Sequence, residues 1–196
     1  MNFLKNILML AFIFAGSHLS GQDIYVLCND YAVTIHGSSN LHDWVETVGK
    51  VTGRGNIIKN NNGSFDLNAF SIVIDVLSIK STEGSIMNSK TYQALKAGKY
   101  PTITFTLTSP VKAIQAGAEG YSARAEGSLT VAGITRPVNI QAKISANGEG
   151  KIIVEGSQEI NMSDYGIEPP TALMGMLKVK SNITIIFKTA FTANKI

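Results

Sequence analysis

Hydrophobic and polar residues alternate along most of this chain. The alternation is complete from Thr102 to Leu107, and it recurs in residues 70–76, 126–131, 138–145, 151–155 and 183–188. A period of two places every second side chain on the same face of a β-strand, so each segment is predicted to be a strand with one face in a core. The pattern predicts about eight strands of roughly 6 to 12 residues in near-meander order.

Turn-forming residues separate these predicted strands. Asn147-Gly148 is the strongest hairpin motif, because this pair readily takes the positive φ values of a tight turn. Further turns are predicted at residues 60–64, 115–120 and 133–137. No composition shift or linker divides the chain, which indicates a single folded domain.

Two segments interrupt the strand pattern. Residues 83–97 have no β-branched run and are predicted to form one or two short helices, ended by Gly98 before Tyr100-Pro101 restarts the chain extended. Residues 169–177 are predicted to be a loop with one helical turn. Because the apolar side chains of the first segment need a surface to cover, we expect it to lie as a lid or flank at the mouth of the barrel that the strands form; the alternative is a helix that plugs a closed core.

Antiparallel strands with one apolar face close naturally into a barrel, since closure removes exposed strand edges. The predicted fold is therefore all-β with short helices, an antiparallel eight-stranded β-barrel. An outer-membrane barrel would turn its apolar face outward to lipid, whereas a soluble carrier turns it inward. Charged residues in mid-strand on the polar face and the scarcity of aromatic residues at strand ends favour the inward arrangement. The charged residues are Asp75, Lys143, Lys151, Glu155 and Lys188.

Residues 1–21 have the pattern of a secretory signal peptide. Lys5 precedes an unbroken apolar run over residues 7–15, which is about half the length that a membrane span needs, and small residues follow it. Cleavage is predicted before Gln22, with cleavage after Ser17 as the alternative. The mature domain, residues 22–196, is then expected to be periplasmic or secreted. The competing interpretation, an N-terminal core helix, lacks a second apolar helix to pack with.

Composition and charge exclude several classes of function. The chain is 44% hydrophobic and only 16% charged, so it can bury a core, and its net charge of +3 comes from scattered basic residues. Such a distribution favours neither a nucleic-acid surface nor a polybasic membrane patch. Cys28 is the one cysteine, so an internal disulfide is impossible, and its apolar neighbours predict a buried, inert thiol.

Candidate catalytic residues are few. His42 and Asp43 are neighbours, so on a strand they would point to opposite faces and would not form a base with its orienting carboxylate. His36 and His42 flank a turn and could approach each other, with Asp43 or Glu46 nearby, but their spacing matches no strong metal pattern. No nucleophile elbow, phosphate-binding glycine loop or CxxC motif is present. We therefore predict no enzyme activity, metal or cofactor, and keep a hydrolase or isomerase around His36, His42 and Asp43 as a weak alternative.

Three motifs together resemble a known family. They are YPTITF at residues 100–105, EGSLTVAGITRPV at residues 126–138 and INMSDYGI at residues 160–167. Their order is similar to that of the YceI-like family of exported bacterial proteins. The resemblance implies a lipocalin-like barrel, and some members bind polyisoprenoid chains or other amphiphiles inside it. Residues 78–90 lack the arginine found there in better-known members, so a head-group contact at that position does not carry over.

The sequence therefore predicts that the partner is a hydrophobic small molecule, a polyisoprenoid or another lipid, held in an apolar cavity. The predicted ligand-lining residues are Ile72, Ile74, Met87, Tyr92, Ile103, Phe105, Leu129, Ile140, Ile183, Ile185 and Phe187. The alternative is a ligand-free structural or stress-related interaction module with a packed barrel, because strand parity does not distinguish a hollow interior from a filled one. A cavity above about 300 Å³ would favour the carrier.

Overall fold

The computed structural model describes residues 23–115, 120–147, 149–172 and 176–194. The predicted signal peptide and its cleavage site at Gln22 lie outside the described residues. The strands are β1 (Asp23–Ser39), β2 (Asp43–Val48), β3 (Val51–Lys59), β4 (Phe65–Asp75), β5 (Ile79–Ser81), β6 (Thr102–Leu107), β7 (Val111–Ile114), β8 (Tyr121–Val131), β9 (Ile134–Ala146), β10 (Ile152–Asn161), β11 (Thr171–Ala172) and β12 (Leu177–Ala193). The described residues also hold one α-helix, α1 (Ser85–Ala94), and 3₁₀ turns at Val76–Ser78 and Met162–Tyr165.

The strands close into an antiparallel barrel. The order β12-β10-β9-β8-β6-β4-β3-β1 is completed by pairing of β1 with β12, which runs from Tyr25↔Ala193 to Ser39↔Val179. β2 and β3 share one position in the wall, because they pair with successive parts of β1. The predicted eight-stranded antiparallel barrel is confirmed.

Two sequence-based boundaries are corrected by the structure. The turn predicted at residues 133–137 lies instead at Ala132 and Gly133, both with positive φ, and Pro137 is within β9. Pro137 is tolerated there because β9 pairs with β10 only over residues 142–146, so the missing N–H breaks no bond to that neighbour. The helix predicted over residues 83–97 is shorter, spanning Ser85–Ala94.

Side chains fill one end of the barrel. Tyr25 and Phe191 are each 1% exposed and Ile114 is fully buried, and they pack together with Ile57 and Phe65. Cys28 is half-buried near a β-bulge of β1, so the prediction of a buried thiol is wrong in degree. A cavity of only about 20 Å³ remains among these side chains, so the larger interior spaces lie towards the middle of the barrel and the opposite end, where α1 is placed.

Candidate ligand-binding cavity

Two adjoining cavities occupy the remaining barrel interior. The first, of about 100 Å³, lies against α1 and is called the α1 cavity. The second, of about 160 Å³, lies between the strands and is called the central cavity. They share four wall residues, Val33, Ile74, Ile103 and Ile185, so they lie next to each other inside the barrel.

The central cavity is walled by alternate residues of the strands, as the period-two pattern requires. Phe105 on β6 pairs with Ile72 on β4 and with Leu129 on β8, so these three inward side chains form a row across the wall. The Phe105 ring makes an edge-on contact with Phe70, with centroids 6.4 Å apart. The polar groups in this wall are Gln158 and Thr189, and the Thr189 hydroxyl is already donated to the Val154 carbonyl at 3.0 Å.

Glycines on the inner face make room for the aromatic rings. A Cβ at Gly127 would overlap the Phe105 ring and lie 2.8 Å from the Thr106 carbonyl oxygen. A Cβ at Gly37 would overlap the Trp44 indole in the same way. These backbone positions set how closely each ring approaches the barrel wall.

Ten of the eleven predicted ligand-lining residues line one or both cavities; that they contact a ligand remains a prediction. The ten are Ile72, Ile74, Met87, Ile103, Phe105, Leu129, Ile140, Ile183, Ile185 and Phe187. Tyr92 lines neither cavity, and a ligand contact at this residue likewise remains a prediction. Its hydroxyl accepts a hydrogen bond from Lys80 Nζ at 2.6 Å and lies 2.9 and 2.8 Å from the carbonyl oxygens of Leu77 and Ile79, so it ties α1 to β5.

The helix α1 covers the α1 cavity with one side. Met87, Thr91 and Leu95 line the cavity, whereas Ile86 is 75% exposed on the other side. The helix is held at this end of the barrel by the Tyr92 contacts and by Asn88, whose side-chain oxygen accepts from the Ser81 N–H at 2.7 Å. The position agrees with the predicted lid or flank.

Sequence reasoning missed a buried acidic residue at this end. Glu46 lines the α1 cavity, is only 4% exposed and accepts a hydrogen bond from the Thr91 hydroxyl. Burial raises the pKa of the Glu46 carboxyl above its ordinary value of 4.5; the Thr91 hydrogen bond opposes this shift, and the Glu83 charge adds to it. The available signal was strand parity, since Trp44, Glu46 and Val48 alternate on β2 and share one face.

Trp44 also lines the α1 cavity. Its indole Nε1 is buried and has no hydrogen-bond partner among the residues that the structure describes. A buried N–H without a partner is uncommon in folded proteins, so this atom marks a position where an acceptor is expected.

The two histidines in the described part of the chain make contacts with residues close to them in sequence and with Glu83. His36 Nε2 lies 2.9 Å from the hydroxyl of Thr34, its neighbour on the same face of β1. His42 Nδ1 lies 2.9 Å from the Asp43 carbonyl oxygen and 3.4 Å from a Glu83 carboxylate oxygen, and these contacts include no hydroxyl or thiol nucleophile. Among the described residues, no cluster of three or more His, Cys, Asp or Glu side chains is placed to bind a metal ion.

The fold places this protein in the class of eight-stranded antiparallel barrels with apolar space inside. Within that class, the chain belongs to the YceI-like domain family, whose pattern matches residues 32–191. The resemblance carried by the three sequence motifs is therefore confirmed. Within the described residues, no helix is both long enough and apolar enough to cross a membrane.

Similar proteins agree with this assignment. A UPF0312 protein of Pseudomonas paraeruginosa is 37% identical over 79 residues, which is 38% of either chain, so the match spans about two fifths of that relative. A polyisoprenoid binding domain from Saccharophagus degradans, implicated in plant cell wall breakdown, has a TM-score of 0.69 at 17% identity, over 87% of this chain and 98% of that one. BcnA of Burkholderia cenocepacia has a TM-score of 0.63 at 18% identity, over 83% and 96%. At these identities the structures establish the shared fold.

Proposed function

We propose that this protein is an exported, soluble carrier that holds a polyisoprenoid or another long-chain lipid inside its barrel and catalyses no reaction. The observation that carries the proposal is the pair of adjoining cavities with almost wholly apolar walls. The similarity of fold to the Saccharophagus degradans polyisoprenoid binding domain supports the same class of ligand.

Neither cavity reaches the ~300 Å³ above which volume alone would favour a carrier over a packed barrel, so support for the proposal comes from the position and the apolar walls of the cavities. Volumes of about 100 and 160 Å³ are each below the ~300 Å³ at the lower end of small-molecule pockets, so a compact ligand of drug size fits neither. A water-sized group takes about 30 Å³ of filled volume, so the two cavities together hold roughly nine such groups. A stretch of one hydrocarbon chain is a ligand of this size.

The apolar walls supply the affinity. Each buried methylene contributes about 0.8 kcal/mol, so ten methylenes contribute about 8 kcal/mol before the cost of immobilising the chain is subtracted. A long tail is therefore retained without any charged contact. The helix α1, which forms one wall of the α1 cavity, is placed to open and close this end of the barrel for the ligand.

Native mass spectrometry of the purified protein, followed by lipid extraction, tests the proposal. The variant Ala125→Phe fills the central cavity that Ala125 lines, and Ala32→Phe adds the same ring at an exposed position of β1. We expect the wild type and Ala32→Phe to carry a lipid that Ala125→Phe lacks. If all three folded proteins are lipid-free and take up no long-chain lipid, the ligand-free packed module is the correct description.

Export is tested by the intact mass of the protein secreted by its host. A chain that begins at Gln22 supports the signal peptide and a periplasmic or secreted location, whereas a mass that retains residues 1–21 contradicts both.

A further inference from the structure

The polar groups of the barrel interior are concentrated at one end. Glu46, Thr91, Ser81 and Lys90 all line the α1 cavity together with the indole of Trp44. The central cavity has only two polar residues in its wall, and one of them is satisfied by the backbone. An amphiphile inside the barrel therefore has one favourable orientation, with its tail in the central cavity and its polar head against β2 and α1.

The groups at this end specify the hydrogen bonds that the head must make. Trp44 Nε1 is a buried donor without a partner in the described structure, so a head that reaches it needs an acceptor atom. Glu46 is a buried carboxyl acceptor held by one hydroxyl, that of Thr91, so a head that also carries an O–H or N–H has an acceptor for its proton. A hydroxyl or a primary amide meets both requirements with one small group.

The charge of this end disfavours an acidic head. Lys90 lines the same cavity, but in the described structure no cation lies within ion-pair distance of Glu46. The next acidic side chain, Glu83, is engaged with His42 at 3.4 Å and adds negative charge at this end. Two carboxyl groups that share one dry site do not both ionise, so a fatty acid or another anionic head would have to be protonated or be repelled.

We propose that Glu46 and Trp44 form the head-group site of the carrier, and that this site selects an uncharged amphiphile with an alcohol or amide head over an acid with the same tail. This inference rests on the proposed function, because it assumes that the barrel holds a lipid. It assigns orientation to the ligand and a specific role to two residues of β2.

Binding of three ligands with the same eighteen-carbon tail tests the inference. Oleyl alcohol, oleamide and oleate are titrated into delipidated protein at pH 8, and Trp44, the one tryptophan of the chain, reports binding through its fluorescence. We expect the alcohol and the amide to bind about tenfold or more tightly than oleate, since a like charge is excluded. Oleate binding as tightly as oleyl alcohol would overturn the inference.

Two variants locate the selectivity. Glu46→Gln is expected to reduce the preference to about threefold or less, mainly by tightening oleate binding, whereas the control Glu155→Gln keeps the wild-type preference because Glu155 lines neither cavity and pairs with Lys188. In Trp44→Phe, displacement of a hydrophobic fluorescent probe should show several-fold weaker binding of the alcohol and amide. An unchanged preference in Glu46→Gln, or unchanged affinities in Trp44→Phe, would refute the assignment. Failure of all three ligands to bind the wild type would instead overturn the carrier function and this inference with it.

Discussion

The most direct test of the barrel's orientation is an acidic residue placed on its inner face. Phe105 is 8% exposed, lines the central cavity and contacts Phe70, so Phe105→Asp replaces a buried ring by a carboxyl. The adjacent outward position is Thr106, which is exposed and pairs with Ser71 and Ser128. Thr106→Asp is therefore the matched control on the same strand.

Phe105→Asp is expected to lower the free energy of unfolding in two ways. Loss of the ring destabilises the fold by about 3–5 kcal/mol, as for other truncations of buried phenylalanine. Keeping the new carboxyl protonated at pH 7 requires a pKa about three units above its ordinary value, which adds up to ~4 kcal/mol at ~1.36 kcal/mol per unit. The sum, about 7–9 kcal/mol, is comparable to the whole stability of an ordinary domain. Thr106→Asp should change the free energy of unfolding by only about 0.5 kcal/mol or less.

The cost of keeping the new carboxyl protonated depends on pH, and it increases as the pH rises. A carboxyl whose pKa is raised on folding contributes no penalty below its unfolded pKa, and the penalty grows as pH rises above it. Urea unfolding followed by circular dichroism at about pH 4 and pH 7 should therefore show Phe105→Asp much closer to wild type in acid. If both variants were equally tolerated, or if Phe105→Asp lost the same stability at both pH values, the inward orientation of Phe105 would be wrong.

Three further outcomes follow from the site. Gly37→Ala should lower stability by about 1–3 kcal/mol and shift the emission of the displaced Trp44, whereas Gly98→Ala, where the new methyl meets open space, should do neither. Glu46→Gln should raise the melting temperature relative to wild type, with a gain that increases from pH 4 to pH 8. The reason is that the raised pKa of Glu46 lowers the stability of the wild type only at pH values above about 4.5. A gain in melting temperature that is constant with pH contradicts this. His42→Ala should change stability by about 1 kcal/mol or less in chemical unfolding and leave bound lipid in place, and loss of a metal or of a turnover activity would favour an enzyme instead.

Strand alternation predicted the barrel and most of its inner face, because a period of two is a property of the backbone and needs no knowledge of neighbours. Ile103 and Phe105 could be assigned inward for that reason alone. Tyr92 could not be placed, since a helix distributes its side chains over all directions and only the position of β5 decides which of them touches the barrel. The size of the cavities likewise could not be predicted, because it depends on the volumes of many side chains and leaves no local pattern in the sequence.

The role of Glu46 was overlooked for a different reason. The alternating segments identified in the sequence do not include residues 43–48, and Glu46 is considered there only beside His36 and His42, so the parity it shares with Trp44 and Val48 is not used. A helix from a distant part of the sequence covers it, and Thr91 provides its hydrogen bond. Polar residues that break the alternation on an inward face are thus the most informative positions in such a strand.

The closing of the barrel by its first and last described strands has a consequence for how the protein is made. β1 is synthesised well before its long partner β12, so the wall stays open until β12 is available. Pairing over such sequence distances is slow, because the entropy of a long loop is lost before the contacts form. During that interval the apolar inner faces are exposed to solvent. We therefore expect refolding to be slow and prone to aggregation, and a chain truncated before β12 to need a chaperone to stay unaggregated.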